Sequence, residues 1–349
     1  MAELATLGWD GAWESAFDPF REQGLVPGRV SVQHRGEWDV LTAEGERRAR
    51  AAGRLRHDAG STADLPVVGD WVGLERETSG MPSIRVVLPR RTKFSRRTAH
   101  EPASGSAEEQ VIAANVDVVF VTATLAEDVN AQVLERYLTL AWESGARPAI
   151  LLTKADLEAE PGAVADEVAE IGGDVPVHVV SSVTGLGLPA VRALLGPGVT
   201  GALVGPSGVG KSTLVNALVG EELLATGPVR DDGAGRHTTT RRELVLLPGG
   251  GLVVDNPGMR EVHLWLADEG LDDAFEDVVE LTTECRFSDC RHDGEPGCAI
   301  GAALADGRLA PERWQSYRDL KRELAELEAQ LARRERSRAR RRRPGAGSS

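Results

Sequence analysis

The sequence predicts a multidomain protein built from a small N-terminal β-barrel, a central α/β domain around a mostly parallel sheet, and a mostly helical C-terminal metal-binding domain. Three observations predict it. Short apolar runs broken by glycine, proline and charge fill residues 28–98, buried strand-like runs alternate with helical patterns from about Asn115, and all three cysteines fall within 14 residues near the C-terminus. At 349 residues the chain exceeds one ordinary core and suits two or three domains.

The barrel strands are read at Val30–Val32, Trp38–Leu41, Val67–Val72 and Ile84–Leu88, short segments at the spacing of a small closed sheet. Trp38, Trp71 and Phe94 within this region are read as core rather than as base-stacking platforms. From Asn115 the texture changes to strands at Val116–Val121, Pro148–Leu152, Val177–Val180, Gly201–Val204, Leu244–Leu247 and Leu252–Asp255, with helices near Val133–Ser144 and Val164–Ile171. Such alternation implies a parallel sheet with helices on both faces. From about Trp265 the pattern is helical around the cysteines, and 311–336 reads as a charged helix running into a basic end. The predicted division is an extension over 1–24, a barrel over 25–100, the α/β domain over 101–264, the metal-binding domain over 265–325 and a basic, disordered tail over 326–349.

The formal net charge is −14, but a polyanion responds to local charge rather than to the sum. Residues 28–100 carry 14 Arg or Lys against 9 Asp or Glu, and 333–343 carries eight arginines against one glutamate. Both stretches are candidate phosphate contacts. Only four lysines, Lys93, Lys154, Lys211 and Lys321, stand against 36 arginines. Lysine therefore marks places where a compact ammonium is required and a planar guanidinium does not fit. No apolar run reaches 18 residues and the N-terminus lacks a basic-then-apolar segment, which predicts a soluble cytoplasmic protein with no membrane partner.

Gly205-Pro206-Ser207-Gly208-Val209-Gly210-Lys211-Ser212-Thr213 follows an apolar strand and opens a helix. That is a phosphate-binding loop in its required setting. The glycines let successive N–H groups face the phosphates, Lys211 reaches the β- and γ-phosphates, and the Ser212 hydroxyl coordinates Mg²⁺. Asp255-Asn256-Pro257-Gly258 ends a later strand, where the aspartate holds Mg²⁺ through water and Gly258 offers its N–H to the γ-phosphate.

Thr153-Lys154-Ala155-Asp156 resembles the Asn-Lys-x-Asp motif of guanine-nucleotide-binding proteins. Its aspartate accepts from guanine N1 and the 2-amino group, a donor pair that adenine lacks, so an ATP-using enzyme is disfavoured. Thr153 replaces the usual asparagine, which leaves guanine as the expected base and makes affinity the property open to weakening. Ser181-Ser182 opens a loop resembling the companion segment that contacts the guanine oxygen.

Cys285, Cys290, His292 and Cys298 form a C-x4-C-x-H-x5-C cluster. Three thiolates and an imidazole make a closed tetrahedral set with no open position, which predicts one structural Zn²⁺.

The base-reading motifs precede the phosphate loop, the reverse of the Ras-like order. With Glu109–Asp117, Gly205–Thr213, Gly235–Thr240, Asp255–Gly258 and the cysteine cluster, the chain resembles circularly permuted GTPases, specifically the ribosome small-subunit-dependent GTPase A family, over about 25–325. The resemblance implies an oligonucleotide-binding (OB-like) barrel, a permuted GTPase domain and a zinc domain. It also implies GTP and GDP as ligands, and the small ribosomal subunit and its rRNA as partners late in maturation. We expect a monomer. Thr240, with Thr239 as second candidate, is the implied switch threonine closing on Mg²⁺, and His237 the implied catalytic group beside Lys211. Met259 stands where Ras-like enzymes carry a water-orienting glutamine, so intrinsic hydrolysis is expected to be slow without a partner. A rival expectation is a nucleotide-gated RNA-binding scaffold in which hydrolysis is incidental.

Overall fold

In the computed structural model, residues 4–75, 80–98, 108–220, 242–255, 271–272, 274–287, 289–322, 324–325 and 329 are described. After a single 3-10 turn at Leu4–Leu7 comes helix α1 (Gly11–Arg21), whose N-cap Asp10 accepts from the N–H groups of Ala12 and Trp13, both at 3.0 Å. Such a cap satisfies N–H groups that have no partner inside the helix. Trp13 and Phe17 on its inner face are buried, and full burial of each large side chain stabilises by roughly 2–3 kcal/mol. The carboxylate of Asp10 also takes both Nη atoms of Arg91 at 2.6 Å, and the Arg91 guanidinium lies 4.2 Å from the Trp13 ring.

Strands β1 (Leu25–Gln33), β2 (Trp38–Thr42), β3 (Gly45–Ala51), β4 (Trp71–Glu75) and β5 (Ser83–Val87) close a barrel in the order β1-β2-β3-β5-β4 and back to β1. The β3–β5 pairing is parallel and the others are antiparallel. A short α2 (Gly53–Asp58) follows β3. Val30, Trp38, Val40, Ala49, Val72, Leu74 and Ile84 fill the interior. Trp38, Trp71 and Phe94 are all buried, in line with their reading as core.

Strand β6 (Lys93–Thr98) does not join the barrel but pairs antiparallel with β7 (Glu108–Ala114). The central sheet follows: β8 (Val118–Thr124), α3 (Ala131–Glu143), β9 (Arg147–Thr153), α4 (Pro161–Gly172), β10 (Val177–Val179), α5 (Leu188–Leu194), β11 (Thr200–Val204), α6 (Lys211–Val219), β12 (Arg242–Leu246) and β13 (Leu252–Asp255). Its order is β10-β9-β8-β11-β13-β12, parallel except for β12. The alternation expected of strands covered on both faces is visible residue by residue. Val119 and Val121 share a core with Leu134 and Leu138 of α3 and Val168 of α4, whereas Val118 and Phe120 pack with Val191 of α5 and Leu214 of α6. The apolar run 116–121 starts two residues before its strand, because Asp117 Oδ2 there accepts from the Thr200 N–H at 2.7 Å.

Barrel and central sheet are continuous. β1 is shared: its first half pairs with β4, and Val32 and Gln33 pair antiparallel with Glu243 and Arg242 of β12, giving one sheet of 11 strands. The buried Arg29 guanidinium lies beneath this joint and donates to the carbonyls of Leu7, Gly69 (3.2 Å) and Asn115 (2.9 Å). Burial pulls its pKa down to about 10, which leaves it charged at neutral pH.

The C-terminal part comprises α7 (Glu276–Thr283), the cysteine loop, α8 (Ala299–Asp306) and a helix α9 over 311–322. Arg313 pins this part to the central domain. It grips Asp277 of α7 at 2.6 and 2.7 Å and donates to Glu135 of α3 at 2.8 Å. Among the described residues, no helix is long and apolar enough to cross a membrane.

Candidate nucleotide site and metal cluster

The phosphate loop, both base-reading loops and Asp255 all follow the C-terminal ends of parallel strands: β11, β9, β10 and β13 respectively. Ligands of open α/β sheets bind along that edge. The permuted chain order therefore leaves the motifs on one edge of one sheet.

In the phosphate loop Gly205, Gly208 and Gly210 have φ of 141°, 85° and 99°, values that L-residues with a side chain avoid. At Gly205 space is also closed, since a Cβ there would sit 2.3 Å from the Thr122 carbonyl oxygen of β8. The loop then enters α6 with Gly210 as N-cap, so free N–H groups of the first turn face the phosphate position. Lys211 Nζ donates to the carbonyls of Gly205 (2.7 Å) and Pro206 (2.5 Å). Those contacts hold the ammonium across the mouth of the loop.

Thr153 has a role that the sequence did not disclose. Its Oγ1 lies 2.5 Å from the Val209 carbonyl of the phosphate loop and 3.0 Å from the Ala123 carbonyl at the end of β8. A hydroxyl carries one proton, so it serves one acceptor at a time: the Val209 contact ties the base-reading strand to the phosphate loop and the Ala123 contact ties it to β8. Lys154 follows in a left-handed conformation with φ 58°. The Ser181 hydroxyl donates to Asp156 Oδ1 at 2.5 Å and accepts from the N–H groups of Val183 (3.2 Å) and Thr184 (3.1 Å). Ser181 therefore joins the two base-reading loops, and Asp156 remains exposed. Ser182 follows on the same loop, half-buried.

Pro206, Ser207, Gly208, Val209, Ser212 and Thr213 complete the loop and the first turn of α6. Of Asp255 only the backbone position at the end of β13 is described. His237, Thr239, Thr240, Gly258 and Met259 lie outside the described residues, as does the arginine run 333–343.

Cys285, Cys290, His292 and Cys298 are brought together, their ligand atoms all within 4.8 Å of one another. Nδ1 of His292 is 3.5 Å from Cys285 Sγ and 3.6 Å from Cys298 Sγ. A tetrahedral ion with metal–sulfur bonds of about 2.3 Å and a metal–nitrogen bond of about 2.0–2.1 Å sets such donors roughly 3.6 Å apart. The donor set thus fits a metal ion of that size. N–H groups at the start of α8 point at the sulfurs, Ala299 to Cys285 at 3.4 Å and Gly301 to Cys298 at 3.3 Å. Desolvation opposes ionisation of Cys285, but the Ala299 and Ile300 N–H groups, together with hydrogen bonds from Cys290 and Cys298, outweigh it and hold the thiol below its ordinary range. Amide donors of this kind favour the thiolate that a metal needs. His292 takes φ 60° and sets its ring edge-on to Trp314 at 5.5 Å.

A family model described as RsgA GTPase matches residues 87–265. A protein of Opitutus terrae, named small ribosomal subunit biogenesis GTPase RsgA, is 45% identical over 334 residues, covering 92% of this chain and 90% of its own. A Streptomyces coelicolor protein of the same name is 45% identical over 356 residues, covering 99% and 94%. Among solved structures, YjeQ from Thermotoga maritima superposes with a TM-score of 0.64 at 26% identity over 86% of this chain and 99% of that one. YloQ, described as a circularly permuted GTPase, shares the fold with a TM-score of 0.59 at 22% identity over 86% and 96%.

Proposed function

The chain belongs to the RsgA GTPase family, and on that premise we propose that it hydrolyses GTP to GDP and phosphate while engaged with the small ribosomal subunit, assisting late steps of that subunit's maturation. The observation that carries this reading is the tethering of the phosphate loop to the base-reading strand through Thr153, with Asp156 held by Ser181 on the same sheet edge. In this reading Asp156 selects guanine through its free oxygen and the exposed face of its carboxylate. Lys211, already aimed across the loop, neutralises charge on the β- and γ-phosphates as the bond between them breaks. Ser212 and Thr240 hold Mg²⁺, which when bound withdraws charge from the β- and γ-oxygens. Asp255, Gly258 and Thr239 complete the phosphate contacts, and His237 orients the attacking water in place of the glutamine that Met259 replaces.

Zn²⁺ is the metal we assign to the cysteine cluster, because three thiolates and an imidazole leave no open position for a water. Its role is structural. The barrel, in the OB-like order, and the zinc domain contact rRNA on either side of the GTPase domain, and the protein works as a cytoplasmic monomer. Met259 also favours a second reading, a nucleotide-gated RNA-binding scaffold with incidental turnover.

The test is steady-state phosphate release by the zinc-loaded protein alone, with small subunits and with large subunits, using ATP as the control nucleotide. Strong acceleration by small subunits only, with ATP inert, is the expected result. A slow rate unchanged by either subunit removes the ribosome-activated enzyme and leaves the scaffold.

A further inference from the structure

Beside the cysteine cluster a groove of about 660 Å³ opens between the loop carrying Cys290 and His292 and helix α9. Among the described residues its lining holds four cations, Arg291, Arg318, Lys321 and Arg322, against one acid, Asp319. That balance runs against a chain whose net charge is −14. Asp319 is engaged by Arg322 at 2.7 Å, and Lys321 donates to the Tyr317 hydroxyl at 2.7 Å. Arg291 and Arg318 are exposed.

The groove also presents Phe287, 46% exposed and the only aromatic residue among the exposed large apolar side chains of the described residues. Its far wall is formed by packed aromatic rings. Trp314 stacks on Tyr317 with centroids 5.8 Å apart and meets His292 of the cysteine cluster edge-on at 5.5 Å, so the groove wall is continuous with that cluster. The chain's own basic end does not suit the groove as an occupant, since eight arginines against one glutamate over 333–343 add to the positive field.

We propose that this groove holds a short single-stranded segment of RNA, with one base stacked on Phe287 and the adjoining phosphates on Arg291, Arg318 and Lys321. The proposal rests on the reading that the partner is the small subunit, and it assigns the contact to named residues of the C-terminal domain. Cations alone would serve an acidic peptide equally well. The exposed aromatic ring decides between them, because every base has a π-face and an extended acidic peptide has none.

The experiment uses the full zinc-loaded chain and fluorescein-labelled octauridine, with affinity measured across a salt series, and octaglutamate as competitor. Phe287→Ala is expected to weaken octauridine binding roughly ten-fold, the scale of one lost base stack, and Phe287→Tyr to restore it. The double variant Arg291→Gln/Arg318→Gln is expected to flatten the slope of log Kd against log salt by about 1.4, two released counterions on a single strand. Octaglutamate should compete poorly. Zinc content and circular dichroism confirm the fold of each variant, and should Phe287→Ala fail to fold, the salt slope of the double variant decides. Unchanged affinity in Phe287→Ala overturns the proposal. So does octaglutamate that competes as well as octauridine, which makes the groove a site for an acidic protein. Subunit-stimulated GTP hydrolysis by the unaltered chain is measured alongside. Its absence defeats the function proposed above and leaves the octauridine result to stand or fall alone.

Discussion

Thr153 is the residue whose substitution isolates one physical effect. Its side chain is buried and its hydroxyl bridges toward the Ala123 and Val209 carbonyls, so Thr153→Val keeps the shape and removes only the donor. A buried carbonyl left without its partner costs about 1–3 kcal/mol, and here the cost falls on the conformation of the phosphate loop. We expect affinity for a fluorescent GDP analogue to fall roughly ten-fold, while preference over the adenine analogue is kept because Asp156 is untouched. Thr153→Asn should bind at least as tightly as the native chain. Equal affinity of the valine variant would show that the tether does not hold the loop. The glycines, Lys211 and Ser212 were legible in the sequence because one backbone loop contains them all. The role of Thr153 was not, and its departure from asparagine looked like a weakness, because its acceptor lies 56 residues further along the chain. Ser181 was likewise read only for its loop, since its partner Asp156 is 25 residues away.

At the scale of elements, strands β8–β13 and helices α3, α4 and α6 follow from apolar runs at strand and helix spacing, whereas α5 was not read from the sequence. α1 is different: its signal, Asp10 as a cap followed by Trp13, Phe17 and Phe20 at helical spacing, was present in residues expected only as an extension. What the spacing lacks is the surface the helix packs on, supplied by Trp71 of the barrel and by Arg91 from the stretch between β5 and β6. Arg91 holds the Asp10 carboxyl at about 2, below the usual value near 3.9. A carboxyl depressed in the folded state stabilises the fold fully above its unfolded pKa and loses that contribution as pH falls through the folded value. Asp10→Asn keeps a capping oxygen but removes the ion pair. The variant should therefore be modestly less stable than the native chain at pH 7 in urea titrations, the difference shrinking from about pH 4 and vanishing only below about pH 2. Because the pair is half-exposed, 0.5 M salt should reduce the pH 7 difference. A difference that persists undiminished at pH 2 would assign the effect to the cap instead.

For the whole molecule, chain order decides what each nucleotide-sensing segment is attached to. The segment holding His237 and Thr240 runs by continuity into β12, and the first two residues of β12 pair with Gln33 and Val32 of the barrel strand β1. The segment holding Gly258 leads instead toward α7 and the metal cluster. Placing the base-reading motifs first thus leaves one neighbouring domain on each of the two segments proposed to sense the phosphates. The permutation was legible from motif order alone. The β1–β12 pairing was not, because it joins strands more than 200 residues apart and neither carries a mark of its partner. The pairing predicts that the barrel registers the nucleotide through its shared strand. Hydrogen exchange read by mass spectrometry should show amides of Val32, Gln33 and β12 differing in protection between the GDP-loaded protein and one loaded with a non-hydrolysable GTP analogue. Amides of β5, on the far side of the barrel, should exchange alike in both states, because they are reached only through β3 and β4. Identical exchange at Val32 and Gln33 would reduce the shared strand to a passive tether, and nucleotide control of the barrel would then have to pass by another route, such as the Arg29–Asn115 contact.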